Sequence, residues 1–236
     1  MIIVKYSKEI EKIIETYTPN NLIVARELYI QKLSYIPELT FYKTLERLTK
    51  KNKIIRVSKG LYCVPKSSRF GEVGINQKET INYFTGANNE TGMMIGYLLY
   101  NKYGLTTQIS KTSELYSNVI NEERKVIHFV RIYKMNMELS PAKVNLIELL
   151  EILENYNKIE ELNEANFKKF ISHAITKYGN EVAEEVLGKM KYKKSTIALL
   201  SKLLDYYGIQ NSLKTHFSTI STFKMPIMEG IYEFAR

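Results

Sequence analysis

The sequence predicts an α+β chain in three parts: helices closed by a β-hairpin over residues 1–66, a small α/β region over 67–138, and an α-helical bundle over 139–236. Three observations carry this. A helical period from Pro37 to Lys51 gives way to a period of two from Ile54 to Val64. β-Branched and aromatic residues crowd the stretch from Val126 to Tyr133. From Ser140 onward, leucines recur at helical spacing nearly to the end.

The first transition organises the chain. Leu39, Tyr42, Leu45 and Leu48 recur every three residues and are expected to form the apolar face of a helix. Thr40, Lys43, Thr44, Arg47 and Lys51 share the other face. Pro37 suits the first turn, where a missing N–H costs nothing, and Glu38 complements the positive end of the helix dipole. Ile54–Val57 and Leu61–Val64 then alternate as two strands around a three-residue loop, Ser58-Lys59-Gly60, whose glycine can take the left-handed position. Lys53, Arg56 and Lys59 put positive charge on this hairpin.

A basic-faced helix running into a basic hairpin is the second half of a winged helix-turn-helix, with the helix suited to the major groove and the wing to phosphates. The expected DNA-binding residues are Thr40, Lys43, Thr44, Arg47, Lys51, Lys53, Arg56, Ser58 and Lys59. The competing reading is a helix and hairpin of an ordinary α+β domain with a solvated charged surface. Upstream, Ser7 is expected to cap a helix over Lys8–Tyr17 striped by Ile10, Ile13 and Ile14. Thr18 to Asn21 breaks it, and a second helix is expected from Leu22 to about Ile30. Three helices and a hairpin in 66 residues is the winged-helix order.

Composition narrows the chemistry. The net charge is +9 over 236 residues, and Asp205 is the only aspartate. Enzymes that hold Mg²⁺ for phosphoryl transfer usually do so with aspartate clusters, so a metal-dependent nuclease or polymerase is disfavoured. His128, His173 and His216 lie far apart with no ligand-like spacing. Cys63 is the single cysteine and sits in an alternating apolar strand, which reads as a buried filler. No phosphate loop, nucleophile elbow or dinucleotide fingerprint is present. The expectation is therefore a non-enzyme with no cofactor and no metal. No apolar run approaches the roughly 18 residues that span a bilayer, and a secretory leader is lacking, so the expected location is the cytoplasm with no membrane partner.

Further along, Ser67–Gly74 reads as a linker and Lys78–Phe84 as a short helix with Ile81 and Phe84 inward. Leu115–Ile120 and Lys125–Tyr133 read as a strand pair. The bundle is expected as Ala142–Asn155, Glu164–Tyr178 capped by Asn163 and stopped by Gly179, Asn180–Met190, and Ser195–Tyr207. Acidic residues concentrate there, with Glu148, Glu151, Glu154, Glu160, Glu161 and Glu164. Lys43 to Lys66 instead sets eight Lys and Arg against one Glu. The basic run Lys189–Lys194 reads as a solvated junction rather than a second phosphate contact. Phe223, Met225, Pro226, Ile227 and Met228 are expected to dock on their own domain or on a partner subunit.

The string TFYKTLERLTKKNKIIRVSKGLYCVPK resembles the AbiEi-type antitoxin family at Leu45, Arg47, Leu48, Lys50, Asn52, Ile54, Arg56, Gly60, Leu61, Tyr62 and Pro65. A second stretch, TGMMIGYLLYNKYGLTTQ from Thr91 to Gln108, resembles the family segment in which a small-residue turn opens a helix ending in L-G-L-T-T-Q; Tyr103 stands where that pattern has Leu. The resemblance implies a DNA-binding autorepressor acting on promoter repeats, with self-association on DNA left open. It also implies an antitoxin in a phage-defence, abortive-infection pair, opposing a nucleotidyltransferase-like toxin without a stable complex. The helical C-terminal region would supply the antitoxin activity. The alternatives are a winged-helix protein-interaction module and a transcription regulator with no toxin partner.

Overall fold

The computed structural model describes residues 2–68, 71–73 and 75–217, so the expected docking of Phe223 to Met228 lies outside the described residues. The chain is α+β and forms two compact units, 1–83 and 84–236. The division thus falls within a helix rather than after residue 66. Residues of the expected middle region, including Met93, Leu99, Leu105 and Met135, share one core with the C-terminal helices.

The N-terminal unit runs α1 (Ile2–Glu15), β1 (Leu22–Val24), α2 (Ala25–Leu28) continued by a wide π turn over Tyr29–Leu33, α3 (Glu38–Lys50), β2 (Ile55–Ser58) and β3 (Leu61–Cys63). The strands form an antiparallel sheet in the order β1-β3-β2. This helix–strand–helix–helix–strand–strand order is the winged-helix arrangement, with one correction to the expected elements: Leu22–Val24 is not helical. Its registers Leu22↔Cys63 and Val24↔Leu61 make it the third strand of the sheet, and helix begins only at Ala25. A second correction concerns Ser7, which lies inside α1 rather than at its start.

The phase of α3 differs from the expected one. Phe41, Thr44, Leu45 and Leu48 are buried, whereas Leu39 is 68% exposed. At about 100° per residue, a stripe repeating every three residues drifts backwards by about 60° per step, so Leu39 ends about half a turn from Leu48. Phe41, separated from Leu45 by four residues, takes the inward place and sets its ring against Tyr29 and Tyr42 at 5.3 and 5.1 Å. The helix stops in a Schellman arrangement: Lys53 N–H donates to the Leu48 carbonyl and Asn52 N–H to that of Thr49, with Asn52 left-handed at φ 55°.

The expected linker 67–74 is largely a two-stranded ribbon, β4 (Lys66–Ser68) with β5 (Gly71–Val73), followed by α4 (Gln77–Thr85) with Phe84 buried and Ile81 half-buried.

The second unit carries a four-stranded sheet, order β6-β7-β9-β8, from β6 (Gly92–Ile95), β7 (Ser113–Ser117), β8 (Arg124–Ile127) and β9 (Val130–Lys134). The stretch expected as one strand from Lys125 to Tyr133 folds back at His128, φ 50°, into a hairpin. Thr91-Gly92 opens a strand rather than a helix; α5 (Tyr97–Lys102) follows after Gly96. The C-terminal helices are α6 (Pro141–Asn155), α7 (Glu164–Ile175), α8 (Asn180–Lys189) and α9 (Lys194–Tyr206). Ser140 and Asn163 cap α6 and α7 by accepting the N–H of Lys143 and Asn166. Gly179, expected to stop α7, is extended at φ −144° and precedes α8, while α7 already ends at Ile175. Among the described residues no helix is long and apolar enough to cross a membrane.

Candidate nucleic-acid interface

The outward face of α3 is set by its phase. Leu39, Thr40, Lys43, Glu46, Arg47 and Lys50 line a shallow, open concavity of about 520 Å³. Lys51 is exposed at the helix C-cap, and Arg56 and Lys59 are exposed on the hairpin beyond it. The hairpin turns through Lys59-Gly60, with Ser58 paired to Leu61, so the connection is two residues rather than three. An irregularity between Arg56 and Ser58 absorbs Val57. Gly60 sits at φ 77°, a conformation that strains any residue with a Cβ, and this leaves Lys59 at the tip.

Three expected contact residues stand elsewhere. Thr44 is buried at 2% exposure: its hydroxyl donates to the Thr40 carbonyl at 2.8 Å and lies 3.3 Å from Ser7 Oγ. It holds α3 against α1 and cannot reach a base. Lys53 follows the helix rather than riding on the wing, and its ammonium is paired with Glu11 and Glu15 of α1; Glu11 in particular holds it above the ordinary lysine value. Ser58 is half-buried within β2.

Arg47 stays on the exposed face but is tethered. Its Nη2 donates to Ser7 Oγ at 2.7 Å and Thr44 Oγ1 at 3.0 Å, and Nε to the Lys43 carbonyl at 3.4 Å. With Nε and Nη2 engaged inside the protein, the guanidinium no longer offers the free two-point edge that reads guanine, and a phosphate contact suits it better. Ser7 is thus a positioning residue, missed because it reads as a cap in the sequence. Glu46 interrupts the cationic face. Lys50 at 2.8 Å, and behind it Lys43 and Arg56, hold its carboxyl below the ordinary glutamate range. This exposed pair is weak, but it sets an acid against Lys50, so the net positive charge of the face rests on its other cations.

No family model matches the chain, and no curated protein matches it in sequence. Among solved structures it is similar to the crystal structure of RV2827C protein from Mycobacterium tuberculosis, at 11% identity and a TM-score of 0.44, covering 85% of this chain and 76% of that one.

The acidic residues of α6 are not the solvated face their number suggests. Glu148 is buried, accepting Lys102 Nζ at 2.6 Å and the Tyr103 hydroxyl at 2.5 Å. Glu151 is buried with the Tyr116 hydroxyl at 3.0 Å; desolvation raises its carboxyl above the ordinary value, partly offset by hydrogen bonds from Tyr116 and Tyr192. Glu154 accepts the Lys193 N–H at 3.0 Å and the Thr196 hydroxyl at 3.1 Å, closing the start of α9. Within Lys189–Lys194, Lys189 pairs with Glu185 and Lys193 with Glu154, so this run is a helix junction tied to its own unit. Among the described residues no group of three or more His, Cys, Asp or Glu could hold a metal ion. Cys63 is free and buried, and burial pushes its thiol up, away from reactivity.

Proposed function

We propose that the N-terminal unit binds duplex DNA, with α3 in the major groove and the β2–β3 hairpin on the adjoining backbone, and that the chain acts as a transcriptional repressor of its own operon. The observation that carries this is the set of five exposed cations, Lys43, Arg47, Lys51, Arg56 and Lys59, that stand beside the Lys50–Glu46 pair on the third helix and wing of a winged-helix unit. Lys43 and Thr40 sit toward the N-terminal half of α3, where such helices meet base edges; Arg47, Lys51, Arg56 and Lys59 take phosphates.

The resemblance at Leu45 to Pro65 and at Thr91 to Gln108 extends the proposal to an antitoxin that opposes a nucleotidyltransferase-like toxin without a stable complex, the protective part lying in residues 84–236. A nucleotidyltransferase reading frame beside this one would support that extension. The test of DNA binding is footprinting of the full chain on the DNA upstream of its own reading frame. Protection of repeated segments is expected; no protected segment at low salt would overturn the proposal.

A further inference from the structure

One leucine stands at the end of this charged face where the helix begins. Leu39 is 68% exposed in the first turn of α3, lines the same concavity as Thr40 and Lys43, and adds nothing to the core, where Phe41 occupies the inward position. The other large apolar residues exposed nearby, Ile30 and Tyr35, do not line that concavity, and the Tyr35 hydroxyl is tied to Glu9 at 2.5 Å. Leu39 is therefore the apolar group that this face presents at the end of the helix where base edges are read.

We infer that Leu39 reads a thymine, by packing its isobutyl group on the 5-methyl group that only thymine presents in the major groove. The inference rests on the DNA-binding reading and names a specificity residue within it. Its occupant follows from charge: a face whose neighbours are Lys43, Arg47, Lys51, Arg56 and Lys59 suits a polyanion, and among the base-pair edges of a duplex the thymine methyl is the apolar contact. Thr40 and Lys43 would then define the polar groups read beside it, while the Leu39 contact supplies discrimination against cytosine and against thymine on the wrong strand.

Deoxyuridine differs from thymidine by that methyl group alone, which makes the test direct. A duplex enriched from a randomised library by the full chain is remade with each thymine in turn replaced by deoxyuridine, and affinities are measured for wild type and Leu39→Ala. For wild type, replacement at one particular thymine should weaken binding about fourfold, the equivalent of burying one methyl group. Leu39→Ala should bind the thymidine and deoxyuridine duplexes equally well and keep the wild-type salt dependence, since it removes no charge. A wild type indifferent to every replacement overturns the inference, as does a Leu39→Ala chain that retains the wild-type loss at that thymine; either result leaves DNA binding standing. A chain that enriches no duplex even at low salt overturns the DNA-binding reading, and this inference with it. Capture of a protein by wild type but not Leu39→Ala, with no thymine dependence, overturns the inference in favour of a protein-docking face.

Discussion

Replacing Phe41 and Leu39 separately by alanine tests the phase of α3, on which the whole candidate interface depends. Phe41 is fully buried and touches two other rings, and truncating a buried phenylalanine costs about 3–5 kcal/mol. For a unit of this size the total stability is only about 4–12 kcal/mol, so Phe41→Ala should remove a large share of it. Leu39, mostly in solvent, should change stability by no more than about 0.5 kcal/mol when truncated. The chain has no tryptophan, so far-UV circular dichroism in urea is the natural readout. With a denaturant slope near 2 kcal/mol per molar, Phe41→Ala should lower the midpoint of the N-terminal unit by about 2 M. Leu39→Ala should leave it in place, and Phe41→Leu should recover much of the loss. If the Leu39 variant falls as far as the Phe41 variant, the helix is rotated from the phase described, and the assignment of Lys43 and Arg47 to the outer face fails.

Other outcomes follow from the same geometry. Lys59→Ala should reduce the slope of log affinity against log salt by about one, whereas Lys53→Ala, already paired with Glu11 and Glu15, should change it by much less. The folded chain holds the Glu151 proton more tightly than the unfolded chain does. Its contribution to stability is therefore present below the ordinary glutamate value of 4.5 and lost as pH rises through the raised one; Glu151→Gln should flatten thermal stability against pH above that value. A fragment of residues 1–83 should retain duplex binding at lower affinity but give no protection against a cognate toxin expressed with it from a foreign promoter, while residues 84–236 should bind no duplex. Protection by the first fragment alone would move the antitoxin activity out of the C-terminal unit.

Much of the fold is legible in the sequence where one local signal decides the structure. The hairpin follows from alternation around Gly60, and the starts of α6 and α7 from the side-chain caps of Ser140 and Asn163. The misreadings occur where a distant partner decides. Leu22–Val24 is too short for its own period to distinguish strand from helix, and it becomes a strand because β3, some forty residues later, pairs with it. Lys125 to Tyr133 reads as one strand because its turn, at His128, contains no glycine or proline. At the site, residue type locates the cations but not their partners. Thr44 and Lys53 look like surface contacts until α1 is placed beside α3, where Ser7, Glu11 and Glu15 occupy them. The same juxtaposition tethers Arg47, and the accumulated drift of a three-residue repeat turns Leu39 outward.

If α3 and the wing together bind phosphates, the salt dependence of duplex binding by the full chain reads that surface out. With Arg47, Lys51, Arg56 and Lys59 each neutralising a phosphate and displacing a counterion, log affinity should fall against log salt with a slope of about −3.6 per protomer. The variant with all four replaced by alanine should lose nearly all of that slope while keeping the wild-type circular dichroism spectrum. Binding that ignores salt, or a fourfold variant whose slope matches wild type, would show that these cations do not form a phosphate-binding surface.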